Sequence, residues 1–281
     1  MANQVKTLML FALLAGAAMA LGQLAGGRTG LIIAFAVAAA ANAGAYWFSA
    51  SLVLAQTRAR VLGPHEAPEL LQLVAHLAQN AGLPMPRVAV VDDPSPNAFA
   101  TGRNPSHAVV AVTRGLMDAM TREELAGVLS HELAHVKHRD ILVCSVAAAM
   151  ASAVMFLASM ARYAALFGRG RGRGGGVGGI LPGLLLALLA PLAATLVQAA
   201  ISRSREYLAD EEGANIAQTP YGLADALEKL GRGAGRPVAS AGPATASLFI
   251  VNPLSASGIS GLFATHPPLE ERIQRLRGLR I

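Results

Sequence analysis

Residues 31–55 run for 25 positions without a charged side chain, long enough as a helix to cross about 30 Å of hydrocarbon. Composition says which solvent receives it. Apolar residues make up 53% of the chain, charged residues 14%, and the mean hydropathy is +0.46. An ordinary soluble domain carries about 25% charged residues, so this reads as a membrane protein. A first apolar run, 8–21 and continuing to 25, precedes the long one, and Gly26-Gly27-Arg28-Thr29-Gly30 is the tight connection between them. Ala18-Met19-Ala20 resembles a signal cleavage site. The apolar run continues past it and a further span follows at once, which favours an uncleaved anchor.

Flanking cations set the orientation. Lys6 precedes the first span, Arg28 lies between the two, and Arg58 and Arg60 follow. The positive-inside rule then places both outer flanks, and residues 131–135 with them, on the cytoplasmic side. Residues 141–161 and 180–201 form a second apolar pair, separated by the flexible basic stretch Gly168-Arg169-Gly170-Arg171-Gly172-Arg173-Gly174. Those arginines on the outer face run against the same rule, so a hairpin at the interface competes with a full crossing. The expectation is four spans. The net charge of +6 is then a property of membrane flanks, and the bilayer is a partner while nucleic acid is not, since nothing supplies a stacking platform. The single cysteine, Cys144, permits no internal disulfide and reads as a packed thiol.

Chemistry enters at His131-Glu132-Leu133-Ala134-His135. Thr121-Arg122-Glu123-Glu124 upstream has the spacing of a capping box, and Leu125, Val128, Leu129, Leu133 and Val136 recur at helical period. The pentad therefore lies on a formed helix, where positions i and i+4 share a face. Two imidazoles stacked that way can reach one Zn²⁺, with Glu132 beside them to take a proton from a water that the metal acidifies.

A catalytic zinc needs a third protein ligand. His138 lies one turn beyond His135 but would crowd the metal from one side. Asp140 stands at the end of the helix. Glu206 belongs to Ser202-Arg203-Ser204-Arg205-Glu206-Tyr207-Leu208-Ala209-Asp210, a second polar helix. There Glu206 and Asp210, four apart, offer one ligand oxygen and one acceptor for the outer nitrogen of a ligand imidazole. Spacing alone leaves the choice open.

The pentad and Ser202-Arg203-x-x-Glu206-x-x-Ala209-Asp210 together resemble the HtpX family of membrane-bound zinc metalloproteases, relatives of the CAAX prenyl endoproteases. Pro96-Asn97-Ala98-Phe99-Ala100-Thr101-Gly102 and Thr265-His266-Pro267-Pro268-Leu269-x-x-Arg272-Ile273 extend the match over nearly the whole chain. The resemblance implies one zinc held by His131, His135 and Glu206. It also implies that His266 and Arg272 lie at the cleft, where they stabilise the oxyanion of the tetrahedral intermediate. From the residues themselves, His266 is also readable as a cap before a Pro-led helix.

The expected fold is an α-helical membrane protein carrying an α+β, zincin-like protease domain, mostly helical with a small β-hairpin or sheet near the site. Residues 1–60 hold the first two spans, 61–140 the first part of the protease domain, 141–201 the second apolar pair and 202–281 the rest. Residues 67–82 read as an amphipathic helix and 87–91 as a strand. Residues 97–101 and 108–113 flank a turn at 102–106. Asn97, Ala98, Phe99 and Ala100 are the candidate edge for an extended peptide substrate. Residues 231–262, rich in Gly, Ala, Ser and Pro, read as a long mobile loop over the cleft. The resemblance implies an endopeptidase acting on membrane or misfolded proteins at the cytoplasmic face. A prenyl-protein processing protease and an inactive scaffold are the alternatives, and the intact Glu132 argues against the last.

Overall fold

The computed structural model of the protein describes residues 2–151, 203–232, 248–250 and 267–281. The expected basic loop, residues 152–161 and 180–201 of the second apolar pair, most of the loop at 231–262 and His266 lie outside these residues.

Helix α1, Ala2–Thr57, is a hairpin folded at a two-residue break, Gly26 (φ −145°) and Gly27 (φ 56°). The left-handed φ at Gly27 suits a residue without Cβ. The reversal is tighter than the expected five-residue connection, because Arg28 and Thr29 are already helical. The arms touch where side chains are absent: a Cβ on Gly22 would fall 2.5 Å from the Gly30 carbonyl oxygen. Further along, Asn42 Nδ2 donates to the Phe11 carbonyl at 3.3 Å. Among the described residues only Gly26–Thr57 is long and apolar enough to cross a membrane. Ile32, Ile33, Phe35, Val37, Trp47 and Phe48 along it are exposed, as lipid-facing side chains are.

A four-stranded sheet follows, ordered β1-β2-β4-β3: β1 Arg60–Val61, β2 Arg87–Val91, β3 Ala98–Thr101 and β4 Val109–Thr113. The hairpin of β3 and β4 is antiparallel as expected, its turn closed by a short 3₁₀ helix, Pro105–His107, whose cap Asn104 accepts from His107 N. Strand β4 lies inside, parallel to β2, which leaves β3 as an edge. Every residue of β4 is buried, because both faces of the sheet are covered. Val110 and Val112 pack with the helices Pro68–Ala81 and Arg122–Lys137. Val109 and Ala111 on the other face join Val53 of α1 and Ala148 of the helix Asp140–Ala151.

Helix α2, Pro68–Ala81, starts with Pro at its first turn and ends at Gly82 (φ 67°), whose left-handed geometry closes the C-terminus. Helix α3 is Arg114–Ala119, and α4, Arg122–Lys137, is the central element. Its capping box is formed: Glu124 N donates to Thr121 Oγ1 at 3.3 Å and Thr121 N to Glu124 Oε2 at 2.7 Å. Helix α5 is Asp140–Ala151, followed among the described residues by α6 Arg203–Ala217, α7 Tyr221–Arg232 and α8 Leu269–Gly278. Helices α6 and α7 pack on α4 so closely that glycine is required. A Cβ on Gly127 would stand 2.7 Å from Leu223 Cα, and one on Gly213 3.0 Å from His131 Cα. The second contact fixes how near α6 comes to the pentad. Residues 231 and 232, expected in a loop, instead complete α7.

Candidate active site

The pentad occupies the buried middle of α4, where Ser130 to Ala134 are all enclosed. His131 and His135 stand one turn apart with ring centroids 4.7 Å from each other and planes at 87°. Their Nε2 atoms converge to 3.2 Å. Glu206, in the first turn of α6, brings Oε1 to 3.6 Å from His135 Nε2 and Oε2 to 3.8 Å from His131 Nε2. One donor atom from each of the three lies within 4.8 Å of the others. Ligands at 2.0–2.1 Å from a tetrahedral zinc are about 3.4 Å apart. The donor types and spacing therefore fit zinc.

Both imidazoles are held from behind. His131 Nδ1 lies 2.9 Å from Asp210 Oδ1. Asp210 in turn receives Arg272 Nε at 2.8 Å and Nη2 at 2.6 Å. His135 Nδ1 lies 3.0 Å from Asp140 Oδ2, and Arg205 Nη1 donates to Asp140 Oδ1 at 3.2 Å. In the metal-free protein burial pushes His131 down, the charges of Arg272 and His135 adding to it against the pull of Asp210, and its pKa falls to about 4. Burial also works against charge on His135, but the hydrogen bond to Asp140 and the charges of Glu206 and Glu132 outweigh it and raise the pKa to about 9. Asp210 is desolvated too, yet the charge and hydrogen bonds of Arg272 hold its carboxyl below the usual range.

Residues 64–280 match Peptidase family M48. This chain belongs to that family. It is 54% identical over 281 residues to a Protease HtpX homolog of Desulfatibacillum aliphaticivorans, covering all of this chain and 91% of the other. A Protease HtpX homolog of Thermococcus kodakarensis is 52% identical over 274 residues, with 97% and 94% covered. The crystal structure of S. mikatae Ste24p matches with a TM-score of 0.50 at 19% identity. The match covers 98% of this chain but 65% of Ste24p, and supports the fold. The M48 fold of the HtpX type is thus mostly helical with a small mixed sheet, and the chain is of a metalloprotease family whose substrates are proteins or peptides.

Arg272, which the resemblance placed at the cleft, and Asp140, weighed from spacing, both stand behind the imidazoles. Arg272 is fully buried behind His131, with Nε and Nη2 on the Asp210 carboxylate. Asp140, weighed as a ligand, approaches His135 from the Nδ1 side, opposite the converging Nε2 atoms. His138 is the C-cap of α4 and is not in the trio.

The candidate substrate edge is partly occupied. Asn97 uses its backbone and side chain on Thr113 and Ala98. Phe99 is buried edge-on against Phe249 at 5.2 Å. The Ala98 carbonyl already accepts from Ile250 N at 3.1 Å. Ala100 lines the cavity beside the trio, together with Ile141, Cys144, Leu248 and Ile250. That cavity measures about 30 Å³, room for water and not for a peptide. Cys144 is thus a neighbour of the site and more than core filling. Arg205, bound to Asp140, has no assigned role in the sequence motifs. Its signal was an arginine directly before the candidate ligand Glu206.

Proposed function

We propose that this chain is a membrane-anchored zinc endopeptidase that cleaves membrane or misfolded proteins at the cytoplasmic face. His131, His135 and Glu206 would hold the metal, and Glu132 would act as general base. The observation that carries the reading is the convergence of the two Nε2 atoms and the Glu206 carboxylate on one point, in a cavity that Glu132 also lines. Zinc bound there supplies Lewis acidity, polarising the scissile carbonyl and bringing the pKa of a water towards neutrality. Glu132 takes the proton of the attacking water and returns it to the leaving amine. The outer edge of β3 orients an extended substrate, which must replace Ile250 at the Ala98 carbonyl. Ala100, Ile141, Leu248 and Ile250 present an apolar wall to the residues flanking the scissile bond. His266 remains the proposed oxyanion donor, on the resemblance alone. Multi-pass anchoring and cytoplasmic orientation rest on the apolar runs and their cationic flanks.

The test is Glu132→Gln in detergent-purified protein with casein as substrate. Zinc content and fold are expected to stay while proteolysis drops about 10²–10⁴-fold. Turnover like that of the wild type would remove Glu132 from the reaction.

A further inference from the structure

The two imidazoles have matching supports, and only one belongs to the motifs discussed so far. Behind His131 stand Asp210 and Arg272. Behind His135 stands Asp140, its Oδ2 3.0 Å from Nδ1, and Arg205 Nη1 donates to Asp140 Oδ1 at 3.2 Å. Asp140 is 5% exposed at its side chain and Arg205 14%, so both are committed to the interior.

Chain geometry shows that this placement is not incidental. Five residues along an unbroken helix, Asp140 would point about 140° away from His135. The chain leaves α4 at His138 and turns at Arg139, whose φ of 59° is left-handed, a conformation unfavourable for a residue with a Cβ. The turn swings the first residue of α5 back beneath the His135 ring. Arg205, on α6 directly before Glu206, meets it there.

We propose that Asp140 and Arg205 are positioning residues for His135, forming a relay parallel to Asp210 and Arg272. The proposal rests on the reading of His131, His135 and Glu206 as a metal site. Asp140 Oδ2 accepts the Nδ1 proton, which fixes the tautomer and turns the Nε2 lone pair to the metal. Arg205 binds the other oxygen, balances the buried carboxylate and stops it rotating. The relay ties α4, the start of α5 and α6 together at the three elements that surround the donors. A shift of α5 therefore reaches the metal through a single side chain.

The experiment compares zinc affinity by chelator competition, the visible spectrum of the cobalt(II)-substituted protein and thermal unfolding in the full-length chain. Asp140→Ala is expected to weaken zinc about 10–100-fold and to change the cobalt bands. Asp140→Asn, which keeps an acceptor oxygen, is expected to recover most of the affinity. A purely structural role predicts a lower melting temperature with unchanged affinity and spectrum, and that result overturns the relay. If Asp140→Ala does not fold, Arg205→Met decides: weaker zinc supports the relay and wild-type affinity overturns it. Failure of the wild type to bind either metal would instead sink the metal-site reading itself.

Discussion

Replacing Arg272 by alanine separates two roles for that residue. Its side chain is fully buried and makes two short hydrogen bonds to the Asp210 carboxylate, itself 3% exposed. Removal leaves a buried carboxylate against His131 without its counter-charge, a change that costs about 3–5 kcal/mol. At about 2–4 °C per kcal/mol for a protein of this size, the melting temperature of the zinc-free protein should fall by roughly 6–20 °C. Zinc affinity should fall as well, because the support behind His131 has lost its own anchor. Turnover per zinc-loaded molecule should stay within about tenfold of the wild type, whereas loss of an oxyanion donor costs about 10²–10³. Pairing Arg272→Met with Asp210→Asn removes both charges and should recover much of the lost stability. Scanning calorimetry, metal analysis and casein turnover on the same preparations decide. An Arg272→Ala protein that melts like the wild type but turns over more than 100-fold slower would refute the positional argument and return Arg272 to the cleft.

The histidines carry three further outcomes. With His135 protonated up to about pH 9 in the metal-free protein, zinc must displace a proton, so affinity should rise about tenfold per pH unit from pH 7 to about 9 and then level off. His131, at about 4, adds no slope there, and a flat chelator-competition profile would contradict the arrangement. In the metal-free protein the raised pKa of His135 contributes stability that is complete below about 6.5 and lost as pH rises through about 9. His266→Ala should lower kcat about 10²-fold or more with little change in zinc content. A lowered melting temperature with normal turnover reduces His266 to a cap.

The parts of this molecule legible in the sequence are those whose cause is local. The capping box at Thr121, the Pro68 and Gly82 ends of α2, strand β2 and the β3–β4 hairpin each depend on a few neighbouring residues. The pentad is local too, since helical period alone brings His131 and His135 together. The pairing of Arg272 with Asp210 was not legible because the two are 62 residues apart, and no periodicity reports where a buried arginine points. The part played by Asp140 was hidden for a different reason. Helical spacing puts it off the His135 face, and only the left-handed turn at Arg139, invisible in residue type, returns it. The parallel pairing of β2 with β4 escaped because it joins strands across an intervening one.

The place of the site on the chain bears on which proteins reach it. From His135 to Ile141, the first apolar residue of α5, there are five intervening residues, and one of them, Asp140, touches the His135 ring. The far face of the sheet rests on Val53 near the end of α1 and on Ala148 of α5. Thr101 at the end of β3 shares a 2.7 Å hydrogen bond with Ser145 of α5. The edge strand, the donor trio and both apolar helices are thus fixed to one another with no linker between them. If α5 enters the bilayer as its composition suggests, the trio sits within about one helical turn of the interface, since a turn rises 5.4 Å. A cleft there meets chain segments lying at the membrane surface before it meets a soluble substrate. This favours membrane and membrane-associated proteins as the substrate class over freely diffusing ones.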